Sequence, residues 1–218
     1  MTSTEELIGQ LSTDLEPTPK LPPLGMVVGL WLLASTVYVL GLAALLGPFR
    51  EGFLGDLSAD PFWAVEVIAG YTAVGLMAWA ALSSTMPGQS QSLVLRIGAL
   101  CGLAWLIGVV VDWLPVDDHR HGLTAADPML GKRPHCIWET LVLTALPLAV
   151  AIRMQRKRYS VDKTKSVLLA GGGSAVLSAW TMQMACMHEA SHSLAFHLAP
   201  ALGVAVVAAA VTHFLLKD

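Results

Sequence analysis

Charged residues are scarce in this chain. Only 13% of its 218 residues are Asp, Glu, Lys or Arg, and 55% are hydrophobic, whereas soluble domains carry about 25% charged residues. The mean hydropathy is +0.62. This deficit of charge excludes an ordinary water-soluble domain and indicates that lipid is the main solvent of the chain.

Other absences narrow the possible classes of protein further. The formal net charge is −3, so no excess of basic residues supports direct contact with nucleic acid. Three cysteines are too few for a disulfide framework, and no C-x-x-C occurs. The first 20 residues hold four acidic residues against the single Lys20. Because a secretory signal begins with positive charge, we expect this segment to be retained.

Long apolar stretches fill most of the chain. A membrane-spanning helix needs about 20 mostly apolar residues. Six stretches meet this length approximately, at 25–47, 62–84, 93–114, 137–153, 166–187 and 194–216. The sequence therefore predicts an all-α, polytopic membrane bundle of six transmembrane helices over residues 25–218, preceded by a cytoplasmic amphipathic segment and tether at 1–24.

The distribution of basic residues predicts the orientation. Six spans put both termini on one face, and that face receives nine of the Lys and Arg residues, against four on the other. Basic residues stay cytoplasmic in short loops. The larger set is Lys20, Arg96, Arg153, Arg156, Lys157, Arg158, Lys163, Lys165 and Lys217, and the smaller set is Arg50, Arg120, Lys132 and Arg133. We therefore expect both termini in the cytoplasm.

The segment before the first span has the pattern of a short amphipathic helix. Ser3-Thr4-Glu5-Glu6 fits a capping box, and Leu7, Ile8, Leu11 and Leu15 then fall on one helical face. The leucine stripe predicts docking, either on a protein partner with a basic rim or on the protein's own cytoplasmic face or lipid headgroups.

Thiols and histidines gather toward the predicted outer face. Cys136 opens the fourth span and Cys186 closes the fifth, so both thiols return to the same face. Thiolates with histidine select soft or borderline ions such as Cu, Zn or Cd. Six of the seven histidines (119, 121, 135, 188, 192 and 197) belong to this face. The candidate metal ligands are Cys136, Cys186, His188, His192, His135 and Glu189. A redox pair of cysteines and a polar rim without any ligand are alternative interpretations.

The run His188-Glu189-Ala190-Ser191-His192 matches H-E-x-x-H, which holds zinc in metalloproteases. That chemistry needs a continuous helix, a third ligand and a water-filled cleft, yet the run lies at a turn between two spans. Metal ligation by His188 and His192 without catalysis is the favoured interpretation. A membrane metal carrier or transporter would need ligating groups deep in several spans, and an assembly subunit without chemistry is a third alternative. We expect no enzymatic activity.

Several of these features together resemble the NrsF family of membrane anti-sigma factors. They are the segment Leu7-Ile8-x-x-Leu11-x-x-Asp14-Leu15-x-Pro17, the six-span layout, Cys136 at the head of span four and Cys186 at the end of span five. The resemblance covers nearly the whole chain. The histidine-rich stretch from His188 to His192 departs from the family pattern.

The resemblance implies a regulator at the bacterial inner membrane. It would hold an extracytoplasmic-function sigma factor inactive and release it when heavy metals or oxidants reach the sensing pair, Cys136 and Cys186. The implied partner-binding residues are Leu7, Ile8, Leu11, Asp14 and Leu15. No cofactor is assigned apart from a soft or borderline ion at the thiols. The expected surroundings are the bilayer and the sigma factor, with self-association left open.

Overall fold

The computed structural model describes residues 3–13, 21–50, 52–84, 92–111, 133, 135–158, 162–186 and 190–215. Helices dominate these residues, and no strand occurs among them. They are α1 (Thr4–Thr13), α2 (Leu24–Leu46), α3 (Phe53–Ala59), α4 (Pro61–Ser83), α5 (Ser92–Val111), α6 (Cys136–Arg156), α7 (Lys163–Ala185), α8 (Ala190–His192), a π-helical turn (Ser193–Leu198) and α9 (Ala199–Leu215). The all-α prediction is confirmed.

The long helices alternate in direction, which gives the bundle two chemically distinct ends. At the end that we call the cysteine end, the backbone N–H of Arg50, just after α2, donates to the carbonyl of Met184 in the last turn of α7 (3.3 Å). At the opposite end, Ser84 after α4 donates to Ser166 at the start of α7 (2.9 Å). Helix α7 therefore runs parallel to α2 and antiparallel to α4.

Helix α7 lies at the centre of the bundle. Its side chains are buried almost continuously from Ser166 to Ala185, and α2, α4, α6 and α9 pack around it. The approach of α9 is close because Gly171 has no side chain: a Cβ there would lie 2.5 Å from the Cβ of Ala205. Glycine at this position lets two helix backbones approach, as is common in membrane bundles.

Large apolar side chains are exposed on the outer surface, and several polar side chains are buried inside the bundle. Leu45, Trp138 and Phe214 are 84%, 69% and 73% exposed, whereas Thr140 and Ser178 are fully buried. Water would favour the reverse arrangement. Hydrocarbon favours this one, because polar groups in a bilayer must find partners inside the protein.

Among the described residues, five helices are long and apolar enough to cross a membrane, which suggests a membrane protein. They are Leu24–Leu46, Pro61–Ser83, Ser92–Val111, Cys136–Arg156 and Ser193–Phe214. They coincide closely with five of the six predicted spans. The sixth, α7, has 23 residues but is not among them. Its surrounding helices shield it from lipid, so its polar residues are compatible with the bundle. The count of six spans stays a prediction.

The N-terminal segment forms the predicted helix. The hydroxyl of Ser3 accepts a hydrogen bond from the backbone N–H of Glu6 (3.2 Å), which is half of the expected capping box. Ile8 is 60% exposed. Asp14 and Leu15, also predicted to bind the partner, lie outside the described residues. The short helix therefore presents at least one apolar side chain outward.

Candidate thiol and imidazole site

Two helix ends bring the predicted cysteine pair together. Cys136 lies in the first turn of α6, and Cys186 is the residue that ends α7, where its backbone N–H donates to the carbonyl of Met182 (2.7 Å). Because α6 and α7 are antiparallel, their sulfur atoms lie 3.2 Å apart although 50 residues separate them in sequence. Both are free thiols, and both are buried.

Two histidines complete the group. The Nε2 atom of His192 lies 3.4 Å from the sulfur of Cys186, and the rings of His192 and His197 meet edge to face with centroids 4.9 Å apart. One donor atom from each of Cys136, Cys186, His192 and His197 lies within 4.8 Å of the others, and all four side chains are buried. Two thiols and two imidazoles thus converge in the interior at the cysteine end.

A π-helical turn explains why both histidines point the same way. In an α-helix, residues five apart diverge by about 140°. Here the chain from Ser193 to Leu198 is π-helical, and the N–H of Ala199 donates to the carbonyl of Leu194, five residues back. Such turns bring residues at i and i+5 to one face and are frequent at functional sites.

His197 has an unusual environment. The side chain is fully buried, and neither ring nitrogen has a hydrogen-bond partner among the described residues. A buried polar group without a partner costs about 1–3 kcal/mol. The imidazole is therefore available to bind a ligand that enters the cluster of thiols and imidazoles.

Arg133 joins three helix ends beside the cysteines. Its guanidinium donates to the carboxylate of Glu139 in α6 (2.7 Å), to the carbonyl of Gly47 after α2 (2.7 Å) and to the carbonyl of Ala185 in α7 (3.1 Å). The thiol of Cys136 donates to the backbone carbonyl of Arg133 (3.0 Å). Arg133 and Glu139 are both buried. The charged pair therefore holds the helix ends around Cys136 in place.

Glu66, in α4, belongs to a separate network. Its carboxylate accepts from the amide nitrogen of Gln183, and the amide oxygen of Gln183 accepts from the indole N–H of Trp105 (2.9 Å). These contacts link α4, α5 and α7. Glu66 is not part of the four-residue donor group.

The predicted metal ligands separate into three sets. Cys136, Cys186 and His192 come together. His135 precedes α6 but is exposed and lies outside the donor group. His188 and Glu189 lie outside the described residues, so the H-E-x-x-H interpretation stays untested. The structure adds His197, which the sequence placed at the same face without a role. The sequence carries no signal for this role, because residues five apart would diverge on an α-helix.

The fold and the site together define a helical protein of membrane character with a buried thiol–imidazole group at one end. The sequence matches the family described as NrsF, negative regulator of sigma F, over residues 11–217. The chain belongs to this family, so the resemblance drawn from the sequence is confirmed. No curated protein and no solved structure matches the chain.

Membership of the family indicates a regulator whose partner is a sigma factor. It favours a non-enzymatic role. Neither the fold nor the family match supports the metal carrier or the metalloprotease.

Proposed function

We propose that the protein is an anti-sigma factor of the bacterial inner membrane with both termini in the cytoplasm. It holds an extracytoplasmic-function sigma factor inactive and releases it when a heavy metal or an oxidant reacts with Cys136 and Cys186. The observation that carries this proposal is the 3.2 Å contact between two buried free thiols at one end of a helix bundle. In this view the cysteine end is the periplasmic end.

The chemistry of the thiol pair suits either kind of signal. One soft ion can be bound by both sulfurs at once. Alternatively, an oxidant that accepts two electrons and two protons converts the two thiols into a disulfide, and the periplasm is an oxidising compartment. Cys101, in α5, is not part of the donor group, so it serves as an internal control for both reactions.

Contacts at both ends of α6 support a path from the thiols to the N-terminal segment. Next to Cys136, Arg133 holds the carbonyl of Gly47 after α2. At the far end of α6, the guanidinium of Arg158 donates to the carbonyl of Pro22, just before α2 (2.8 Å). A shift of α6 would therefore move both ends of α2. The segment that connects α1 to the bundle joins α2 at its N-terminal end.

The exposed Ile8 of α1 supports docking on a protein partner. A charged residue at this position should remove the apolar contact and weaken capture of the sigma factor. Thr13 lies about 140° around the helix from Ile8, so it offers a matched control for added charge.

The experiment is affinity capture from detergent-solubilised membranes with the full chain, the chain lacking residues 1–20, Ile8→Asp and Thr13→Asp. Mass spectrometry should find a sigma factor with the full chain and Thr13→Asp, and at least tenfold less with the other two. Equal capture by all four proteins would rule out the N-terminal segment as the binding site.

Sensing is tested in cells that report activity of the sigma factor. Cys136→Ser/Cys186→Ser should abolish induction by Cd(II) and by diamide, while Cys101→Ser responds normally. Immunoblots of membrane fractions confirm that each variant accumulates. A normal response in the double variant would remove the sensing role from these cysteines.

A further inference from the structure

The donor group at the cysteine end has the composition of a metal centre. Two sulfurs and two imidazole nitrogens lie within 4.8 Å of one another. An S₂N₂ set is typical of tetrahedral zinc and of other soft or borderline ions, whereas Mg²⁺ and Ca²⁺ require oxygen ligands. The nearby carboxylate of Glu139 is paired with Arg133, which leaves the thiols and imidazoles as the available donors.

We propose that Cys136, Cys186, His192 and His197 form a four-ligand site for one thiophilic d¹⁰ cation such as Zn(II), Cd(II) or Cu(I), with His197 as an essential ligand. The inference deepens the proposed function, on which its regulatory consequence rests, because it specifies how a metal signal would be bound. Oxidation would need only the two cysteines. Metal binding would also need His192 and His197.

The distances fit such an ion after small movements of the side chains, outward for the two sulfurs and inward for the widest pair of donors. With bonds of about 2.3 Å to sulfur and 2.0–2.1 Å to nitrogen, tetrahedral donors lie roughly 3.3–3.8 Å apart. The two sulfurs are 3.2 Å apart and the Cys186 sulfur is 3.4 Å from His192. The widest separation, within 4.8 Å, closes by movements of side chains. The ion would link the facing ends of α6 and α7 to the segment that carries His192 and His197.

His197 provides the independent indication of a ligand. Its ring is fully buried, and both nitrogens lack hydrogen-bond partners among the described residues. The π-helical turn holds the ring against His192 and the thiol group. A bound cation would give one nitrogen a partner. The sulfurs would bind as thiolates, so a divalent ion releases two protons and the buried site becomes neutral.

The test measures binding in purified full-length protein in detergent, without the sigma factor. Cd(II) is the probe, followed by its thiolate absorbance and by metal content after gel filtration. Wild-type protein and Cys101→Ser should bind one Cd(II) per chain. His197→Gln and His192→Gln should weaken binding by more than about a hundredfold, because loss of a supporting residue around a metal already costs 10–100-fold.

His197→Cys keeps a soft ligand and should retain binding close to that of the wild type. It also controls for folding, since gel filtration shows whether each variant remains monodisperse. If His197→Gln does not fold, alkylation of the thiols by a maleimide provides the second test. Cd(II) should protect Cys136 and Cys186 from alkylation in wild-type protein, and this protection should be lost in His192→Gln. Unchanged affinity or protection in the histidine variants would overturn the four-ligand site.

The failures of the two proposals are distinguishable. If Cd(II) binds through all four residues but does not induce the reporter, the site stands and the sensing function fails. If induction depends on the cysteines but the histidine variants bind Cd(II) as tightly as the wild type, sensing stands and the four-ligand site fails.

Discussion

The two ends of the bundle are held together by different chemistry. At the cysteine end, a buried ion pair between Arg133 and Glu139 joins three helix ends beside two thiols. At the opposite end, the side chains of Ser84, Ser166 and Gln155 connect α4, α6 and α7 through neutral hydrogen bonds. The buried ion pair therefore lies beside the thiols that a metal or an oxidant would modify.

This difference predicts unequal sensitivity to mutation. A neutral hydrogen bond contributes about 1 kcal/mol net. Removing one member of a buried ion pair costs about 3–5 kcal/mol, because the other charge is left without compensation. The cysteine end should therefore be the less tolerant of the two, and the following substitutions test that comparison.

The largest effect is expected for Arg133→Met. The variant leaves Glu139 buried without its cation and should lower the free energy of unfolding by about 3–5 kcal/mol. The measurement is unfolding in mixed detergent micelles. Arg133→Met/Glu139→Leu should recover much of the loss. Arg153→Met, at an exposed position on the opposite half of α6, should change stability by less than about 0.5 kcal/mol. Equal effects at the two arginines would contradict the contrast between the ends.

A smaller effect is expected for Gly171→Ala, which acts between the two ends. The new Cβ would lie 2.5 Å from the Cβ of Ala205, so α9 must move away from α7 at a cost of about 1–3 kcal/mol. Gly203→Ala is the control, because no atom lies within 4 Å of a Cβ there. The same unfolding assay should show no loss for the control. A neutral Gly171→Ala would mean that α7 and α9 are not in close contact.

The smallest effect is expected for Ser166→Ala at the opposite end. Its hydroxyl donates to the carbonyl of Ala81 (2.9 Å) and accepts from Ser84 (2.9 Å). Losing these bonds should cost about 0.5–1.5 kcal/mol. Ser12→Ala, in the exposed α1, should leave stability unchanged. A loss of unfolding free energy at Ser166 as large as that at Arg133 would show that both ends are equally sensitive to mutation.

The sequence predicted the layout because apolar length and cysteine position are local signals. Five of the predicted spans coincide with apolar helices. The adjacency of Cys136 and Cys186 follows once two consecutive spans are antiparallel. Helix α7 departs from the pattern, since residues such as Ser174 and Gln183 lower its hydropathy although the bundle shields them.

Two site residues could not be found from local pattern. Arg133 looked like one more loop charge, and only the assembled bundle shows it bound to the ends of α2, α6 and α7. His197 lies five residues after His192, a spacing that an α-helix would point elsewhere. The π-helical turn that brings the two rings together packs against α6 and α7, which local sequence does not reveal.

The most direct measurement is oxidative pairing of the cysteines of the full-length protein in its native membrane. Membranes are treated with diamide, remaining thiols are alkylated, and the digested protein is analysed by mass spectrometry. Cys136 and Cys186 should appear as one linked peptide pair within a single chain, with Cys101 alkylated. Recovery of Cys136 and Cys186 as separately alkylated peptides, or either one joined to Cys101, would contradict the account.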